Sequence, residues 1–239
     1  MDPLEAHLLG QTTQRLSFWH EVRASFVTRR VPRDRDVVVA DVGAGAGLLG
    51  DVLRRDRPRA TYRFFEPLDP LADRLEARFG TEARLRGPEG VHDADVVTLL
   101  DVIEHVADDR ELLRTVVDPM RLDGTLVVTV PALPKLWSAW DEELHHHRRY
   151  TRETLADVTR DLPFVVDELD YVFPELIPAA LVRRLAGGRV GGGGDDAITE
   201  YPELPRWLDR TLWATSTASA KGRRWWPVGT SLLLAGRRR

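Results

Sequence analysis

The stretch Asp41-Val42-Gly43-Ala44-Gly45-Ala46-Gly47-Leu48-Leu49-Gly50 decides how the first half of this chain folds. The continuous apolar run at residues 37–42 is typical of a β-strand that is buried on both faces of a sheet. Three glycines at alternate positions then permit a tight turn, because glycine adopts backbone conformations that a Cβ atom would forbid. Residues 48–55 follow with helical spacing of their apolar side chains. The stretch therefore predicts a strand, a glycine turn and a helix, the opening unit of an α/β fold.

Strand and helix patterns alternate along the rest of the chain. Strand-like segments lie at residues 37–42, 61–65, 83–86, 95–100, 125–130, 164–172 and 231–235. Helical patterns lie at residues 5–30, 48–55, 71–79, 110–117 and 151–161. This alternation indicates right-handed βαβ crossovers and a mostly parallel sheet with helices on both faces. No regular crossover helix is evident between the last two strands, which predicts an antiparallel final strand.

The composition limits the classes of function. The 239 residues suffice for one large α/β domain, so residues 1–239 are interpreted as a single domain. A net charge of −4 gives no electrostatic basis for binding nucleic acid or anionic lipid over the whole surface. The chain has no cysteine, which excludes disulfides, cysteine-ligated zinc and thiolate catalysis and is consistent with a cytoplasmic location. No secretion signal or membrane-spanning segment is recognisable.

Two motif registers overlap in the opening stretch. From Gly45 it reads G-x-G-x-x-G, the pyrophosphate-binding turn of dinucleotide enzymes. From Asp41 it reads D-x-G-x-G-x-G, which also accounts for Gly43. Because the strand ends at Val42, the chain must turn at Gly43, and this favours the second register. The acidic residue after the next strand, Glu66, suits a ribose in either register.

Downstream motifs resemble those of class I S-adenosylmethionine-dependent methyltransferases. D-V-I-E-H-V at residues 101–106 resembles the segment after the fourth strand of that family, and its D-x-x-E-H part is similar to the E-x-x-E-H of quinone-pathway O-methyltransferases. H-H-R-R-Y-T at residues 146–151 resembles a bacterial small-molecule methyltransferase subfamily, in which residue 145 is usually glycine. Phe18, Trp19 and Arg23 resemble its N-terminal motif. The resemblance implies a Rossmann-like, seven-stranded sheet with its last strand antiparallel and an insertion between strands six and seven.

The resemblance implies that S-adenosyl-L-methionine is the cofactor. In the family pattern the residues around the methionine end correspond to Asp41, Gly43, Ala44, Gly45 and Gly47. The pattern puts Glu66 and Pro67 at the ribose, Asp101 near the amino group and Arg86 near the adenine. Arg23 is implied to meet the carboxylate of the donor, with a surface salt bridge as the alternative.

Three polar residues are candidates for acceptor chemistry. His146 matches the fixed histidine of the subfamily motif, which implies a base or a group that orients the acceptor; the alternative is a structural hydrogen bond to the following turn. Glu104 and His105 would share one helix face with Asp101 if that helix began early. In some quinone-pathway O-methyltransferases this segment binds a divalent cation, whereas the interpretation favoured here is a hydrogen-bonded pocket rim without metal. The consecutive histidines 145–147 point in different directions, so they are not expected to form a metal site.

Two segments outside the predicted sheet have predicted roles. Residues 1–33 are interpreted as an N-terminal helical cap, and residues 173–228 as an insertion over the acceptor pocket. Residues 173–184 are apolar and end in arginine, which suits a lid or, alternatively, a helix lying on a membrane surface. The glycine-rich residues 187–194 would be the hinge of the lid. Core packing or an aromatic wall around a flat acceptor is expected for the tryptophans at positions 207, 213, 225 and 226.

Three hypotheses about function follow. The first is a methyltransferase that acts, as a monomer or homodimer, on an oxygen or nitrogen of a small-molecule acceptor such as a natural-product or cell-envelope intermediate. The second is a membrane-surface methyltransferase of a lipid-linked sugar or quinone. The third is a methyltransferase fold retained as a non-enzymatic binding module. A dinucleotide enzyme would bind NAD instead.

Overall fold

The computed structural model describes residues 17–185 and 204–239, in which helices pack on both faces of one sheet. Its strands are β1 (Val37–Val42), β2 (Ala60–Phe65), β3 (Val96–Leu100), β4 (Thr125–Pro131), β5 (Phe164–Val172) and β6 (Ser231–Arg238). Its helices are α1 (Phe18–Thr28), α2 (Leu48–Asp56), α3 (Asp69–Phe79), α4 (Asp109–Val117), α5 (Ala139–Glu143), α6 (Arg152–Thr159), α7 (Ile177–Leu185) and α8 (Arg206–Lys221). Single 3₁₀ turns lie at Thr81–Ala83, Ile103–His105, Pro134–Leu136, Pro174–Leu176 and Arg223–Trp225.

The sheet order, β2-β1-β3-β4-β6-β5, combines parallel and antiparallel pairs. Strands β1 to β4 pair in parallel, whereas β6 runs antiparallel to both β4 and β5. The predicted antiparallel final strand is therefore confirmed. Because β2 and β3 lie on opposite sides of β1, the strand order reverses there, and the loops after β1 and β3 diverge. In parallel α/β sheets such a reversal creates the crevice at the carboxyl ends of the strands where ligands bind.

The predicted strand at residues 83–86 is wrong. This segment forms a single bridge to β2, between Arg84 and Phe64, with the Leu85 N–H donating to the Phe64 carbonyl at 2.7 Å. The chain then reaches Gly87 and Pro88, and proline has no N–H with which to continue a ladder. The described residues therefore contain six strands rather than seven, and β2 lies at the edge of the sheet.

Alternate side chains of the strands divide the core into two layers. On β1, Val37 and Val39 pack with apolar residues of α1 and α2, whereas Ala40 and Val42 pack with those of α4 and α6. This period of two explains the continuous apolar sequence of β1, since both of its faces are covered.

The chain between β5 and β6 carries α7 and α8. The Phe18 N–H donates to Asp209 on α8 at 2.9 Å, which attaches α8 to the start of α1. Trp207, Trp213, Trp225 and Trp226 are all exposed, so the expected core packing is wrong for these four residues. The predicted glycine hinge and the first part of the predicted N-terminal cap lie outside the described residues. Within the described ranges, no helix is both long and apolar enough to cross a bilayer.

Candidate active site

The glycine turn after β1 forms one wall of the crevice. Gly43, Gly45 and Gly47 have φ values of 77°, 54° and 71°, a backbone region that strongly favours glycine. A Cβ atom at Gly43 would lie 2.6 Å from the Val102 side chain, so glycine is needed there for packing against the loop after β3. At Gly45 a Cβ atom would meet nothing within 4 Å. The turn is thus packed at Gly43 and open at Gly45, which suits a ligand close to the Gly45 backbone.

Glu66 closes this turn from the side of β2. Its two carboxylate oxygens accept hydrogen bonds from the N–H groups of Gly45 at 2.7 Å and Leu68 at 3.1 Å. Burial raises the pKa of Glu66, and the two N–H groups offset part of that increase. Glu66, Pro67 and Arg86 all line a groove of about 850 Å³. The structure therefore brings together the residues that were predicted to hold the ribose and adenine.

Asp41 lies beneath the glycine turn and is almost completely buried. Thr98 Oγ1 donates to one of its carboxylate oxygens at 2.7 Å, and the Tyr62 hydroxyl donates to the other at 2.9 Å. Within the turn, the Ala44 carbonyl accepts a hydrogen bond from the Gly47 N–H at 2.9 Å. Because both oxygens of Asp41 have protein partners, this residue holds the end of β1 in place. Direct contact between Asp41 and a donor stays a prediction.

Arg23 and Asp101, which were predicted to meet opposite charges of one ligand, form an ion pair. Arg23 projects from α1, and Asp101 follows β3 with a φ of 57°. Thr129 Oγ1 donates to the second carboxylate oxygen of Asp101 at 3.1 Å. The side chains of Arg23 and Asp101 are only 16% and 22% exposed. The alternative of a salt bridge on the surface would require larger exposed fractions. A ligand with both an amino group and a carboxylate would find an opposite charge for each group here.

Glu104, His105 and His146 come together near the same loop. One ligating atom from each residue lies within 4.8 Å of the other two, and the two imidazole rings meet edge to face with centroids 4.6 Å apart. The expectation of a shared helix face with Asp101 is wrong, because Glu104 and His105 lie in a 3₁₀ turn and α4 begins only at Asp109. His146 completes the group instead. It is the only one of the three consecutive histidines that belongs to this group in the described part of the chain.

The protonation states of this cluster are shifted by burial. Glu104 is fully buried, and neither carboxylate oxygen has a hydrogen-bond partner among the described residues. Burial raises the pKa of Glu104 to about 8. Burial, reinforced by the neighbouring His146, lowers the pKa of His105 to about 4. At neutral pH the cluster therefore holds a neutral carboxylic acid beside a neutral imidazole, and both can exchange hydrogen bonds with an incoming polar group.

Asp141 orients His146 and was missed from the sequence. One of its oxygens lies 3.0 Å from His146 Nδ1, and Arg149 donates two hydrogen bonds to the carboxylate at 2.6 and 3.0 Å. Burial opposes ionisation of Asp141, but the hydrogen bonds from His146 and Arg149 outweigh it and lower the pKa of this carboxyl. An ionised carboxylate at Nδ1 fixes the ring and leaves Nε2 for another group. Ser138 and Asp141 form a capping box at the start of α5, and their spacing in the sequence is the signal that could have drawn attention to Asp141.

The rest of the H-H-R-R-Y-T segment supports the loop. The Tyr150 hydroxyl donates to Asp109 at 2.7 Å, and Arg148 forms an ion pair with the same carboxylate at 2.9 Å. Thr151 accepts from the N–H three residues later and caps α6. His145 has a φ of 54°, which explains why glycine suits this position in the resembling subfamily.

Comparisons with known proteins identify the family of the chain and its fold. A family model described as "Methyltransferase domain" matches residues 7–169. No curated protein matches the sequence. Among solved structures, the complex between the Haloferax volcanii Trm112 methyltransferase activator and its methyltransferase contains a similar chain, with a TM-score of 0.63 and 17% identity. That match covers 100% of this chain and 98% of the other.

Two further solved structures show the same fold. A SAM-dependent methyltransferase from Archaeoglobus fulgidus has a TM-score of 0.55 and 15% identity over 92% of this chain and 94% of its own. The geranyl diphosphate C-methyltransferase from Streptomyces coelicolor A3(2), solved with Mg²⁺, geranyl diphosphate and S-adenosyl-L-homocysteine, has a TM-score of 0.56 and 14% identity over 92% and 80%. At such identities the similarity demonstrates the fold alone.

Proposed function

Since the chain belongs to the methyltransferase domain family, we propose that it transfers a methyl group from S-adenosyl-L-methionine to an oxygen or nitrogen of a small-molecule acceptor. The observation that carries this proposal is the ion pair of Arg23 with Asp101, the residue before Val102, whose side chain adjoins Gly43 of the glycine turn. Asp101 would bind the amino group of the donor and Arg23 its carboxylate. Gly45 and Glu66 would hold the nucleoside.

The bound donor supplies an activated methyl group on a sulfonium. The protein then has to align the acceptor with that group and exclude water. A base is needed only where the acceptor carries a proton at neutral pH, as a hydroxyl or protonated amine does. His146 is suited to accept that proton at Nε2, because Asp141 holds Nδ1 at 3.0 Å and stabilises the imidazolium that forms. General-base assistance of this kind contributes roughly 10²–10⁴-fold in rate.

Glu104 is suited to position the acceptor. As a neutral acid with no protein partner among the described residues, its carboxyl can donate a hydrogen bond to an acceptor oxygen. The first part of the predicted insertion would cover this side of the pocket. Two contacts support that role: Phe173 stacks on Trp19 at 4.2 Å, and the Arg183 guanidinium lies 4.8 Å from the Trp140 ring centroid.

A second candidate for acceptor activation is a divalent cation. The proximity of one buried carboxylate and two imidazoles favours it, because this ligand set suits a transition-metal ion. Such an ion would be held by Glu104, His105 and His146. It would lower the pKa of a bound acceptor hydroxyl, as in the quinone-pathway enzymes that the D-x-x-E-H segment resembles.

The donor site can be tested by calorimetry with two ligands that differ only at one end. Arg23→Gln should weaken S-adenosylhomocysteine binding at least about tenfold, the effect of one lost charge-assisted contact. It should leave binding of 5′-methylthioadenosine, which lacks the amino acid group, unchanged. Arg114→Gln, on the exposed side of α4, is the control. Wild-type protein that binds neither ligand, or binds NAD instead, would refute the proposed function.

Acceptor chemistry can be tested with methyl-labelled donor and a panel of phenols, sugars and amines. His146→Gln should lower the rate of labelled product formation by roughly 10²–10⁴-fold without changing donor affinity. Asp141→Asn should also reduce the rate, because the neutral amide no longer stabilises the imidazolium. Loss of product after chelation, with recovery when one kind of divalent metal ion is added back, would favour activation of the acceptor by a metal ion over activation by His146 as a base. Full turnover in His146→Gln would exclude both roles for this residue.

A further inference from the structure

The exposed apolar side chains of this protein are concentrated in one part of the chain. Ten large hydrophobic residues of the described ranges are exposed, and eight of them lie between residues 181 and 228. Leu185, Trp207 and Trp225 are the most exposed, at 84%, 70% and 87%. Isolated exposed apolar residues are normal in soluble proteins, but their concentration in one region indicates an interaction surface.

The helix α8, which carries Trp207 and Trp213, is held in place from its other side. On α8, Ser216 and Ala220 are buried, and Asp209 accepts the Phe18 N–H of α1. The 3₁₀ turn Pro174–Leu176 packs against α8 and leads directly into α7. The Trp226 indole donates to the Ser219 carbonyl at 2.9 Å, so the segment after α8 folds back onto that helix. α8 is therefore anchored to the body of the protein, whereas α7 buries none of its residues.

The charge of the same region is opposite to that of the protein. The described residues 177–185 and 206–228 contain seven Lys or Arg and one Asp, whereas the full sequence carries a net charge of −4. Asp209 is hydrogen-bonded to α1, and Arg223 is ion-paired with Glu168 on β5, so the surface charge comes from the other basic residues. Arg206, Arg210 and Arg224 are exposed among the tryptophans.

We propose that the exposed faces of α7 and residues 206–228, named here the tryptophan–arginine surface, bind the surface of an anionic lipid bilayer. Tryptophan is suited to the boundary between headgroups and acyl chains, and each Lys or Arg near an anionic bilayer adds attraction to the headgroups. Methyl transfer is not needed for this binding, so the inference does not depend on the proposed function.

Vesicle sedimentation tests this inference with the full chain. The protein should pellet with phosphatidylcholine vesicles that contain phosphatidylglycerol and remain in the supernatant with phosphatidylcholine alone. Its bound fraction should fall with added salt, because the Debye length shortens. Replacing Trp207 and Trp225 together with serine should weaken binding about tenfold or more. Leu122→Ser is the matched control, since Leu122 is 65% exposed and lies outside the surface.

The electrostatic part is tested by charge reversal. Arg210→Glu should weaken binding to anionic vesicles about tenfold, whereas Arg35→Glu, an exposed arginine in the loop before β1, should have a smaller effect. A wild-type protein that stays in the supernatant with both vesicle types would overturn the inference. Equal losses in the surface and control variants would also overturn it. A fall in oligomer mass on tryptophan replacement, without vesicle binding, would identify a second copy of the chain as the occupant and reject the bilayer.

Discussion

Replacing Glu104 with glutamine is expected to stabilise the folded protein at neutral pH even though it impairs acceptor positioning. Glu104 is fully buried without a hydrogen-bond partner in the described structure, and burial raises its pKa from 4.5 to about 8. Glutamine has nearly the same shape but cannot ionise. The substitution therefore removes the free-energy cost of keeping this buried carboxyl protonated at a pH where the unfolded chain would release the proton.

The sign and size of the effect follow from proton linkage. Below pH 4.5 both the folded and the unfolded protein hold this proton. Between pH 4.5 and about 8 the unfolded chain releases it while the folded protein retains it, so the free energy of unfolding falls as pH rises. The loss is about 1.4 kcal/mol per pH unit, which amounts to about 3 kcal/mol at pH 7. This loss of stability levels off above the pKa that Glu104 has in the folded protein. The Glu104→Gln variant does not show the loss at any pH.

Urea unfolding of both proteins across this pH range, with a chelator present, measures the difference directly. The advantage of Glu104→Gln should grow from under about 1 kcal/mol near pH 5 to about 3 kcal/mol near pH 7. Glu111→Gln is the control, because the Glu111 carboxylate on α4 is largely exposed and pairs with Arg114. Parallel pH profiles for wild type and Glu104→Gln would refute the reasoning. The same would follow if Glu111→Gln produced an equal gain.

Three further substitutions test the packing of the site. Gly45→Ala should cost about 1 kcal/mol of stability, because the φ of Gly45 is 54°. The added Cβ should also reduce the affinity for the donor, measured by calorimetry, about tenfold or more. Unchanged affinity would exclude the open side of the glycine turn as the donor site. Tyr62→Phe should lower the free energy of urea unfolding by about 1–3 kcal/mol, because one oxygen of buried Asp41 loses its donor. Arg149→Lys should reduce stability in thermal denaturation by roughly 1–3 kcal/mol, since lysine cannot make both hydrogen bonds to Asp141; wild-type stability would show that the bidentate contact is dispensable.

The fold could largely be predicted from sequence because its buried strands leave a simple pattern. β1 and β3 are covered on both faces and are therefore continuous apolar runs. The segment at residues 83–86 is different, because its alternating apolar and charged residues also suit an edge strand. In the structure Arg84 pairs with three acidic residues of α3, and Pro88 ends the pairing soon afterwards. These competing tertiary contacts are not visible in a local pattern.

The two halves of the site differ in how far they could be predicted. Most of the predicted donor-site residues lie at the ends of β1, β2 and β3, so short motifs indicated them and parallel topology brought them together. The acceptor cluster joins His146 to Glu104 across 42 positions of sequence, and no periodicity connects those segments. Asp141 was missed for a related reason. An aspartate five residues before a histidine becomes its partner only when the turn between them closes, which here includes the His146 N–H bond to the Asp141 carbonyl at 2.8 Å.

Backbone strain gives an argument for the site that does not depend on family membership. Five non-glycine residues of the described chain have positive φ, and four of them lie in the loops that build the site: Asp101, Leu133, His145 and Phe173. Such conformations cost on the order of 1–3 kcal/mol each and persist only where surrounding contacts enforce them. The unpartnered carboxylate of Glu104 lies among the same loops. A scaffold that served stability alone could relieve each of these costs with a glycine or an apolar side chain. Two of the four, Asp101 and His145, adjoin the Arg23 ion pair and His146, so part of this strain falls at the residues that we propose to bind the donor and the acceptor.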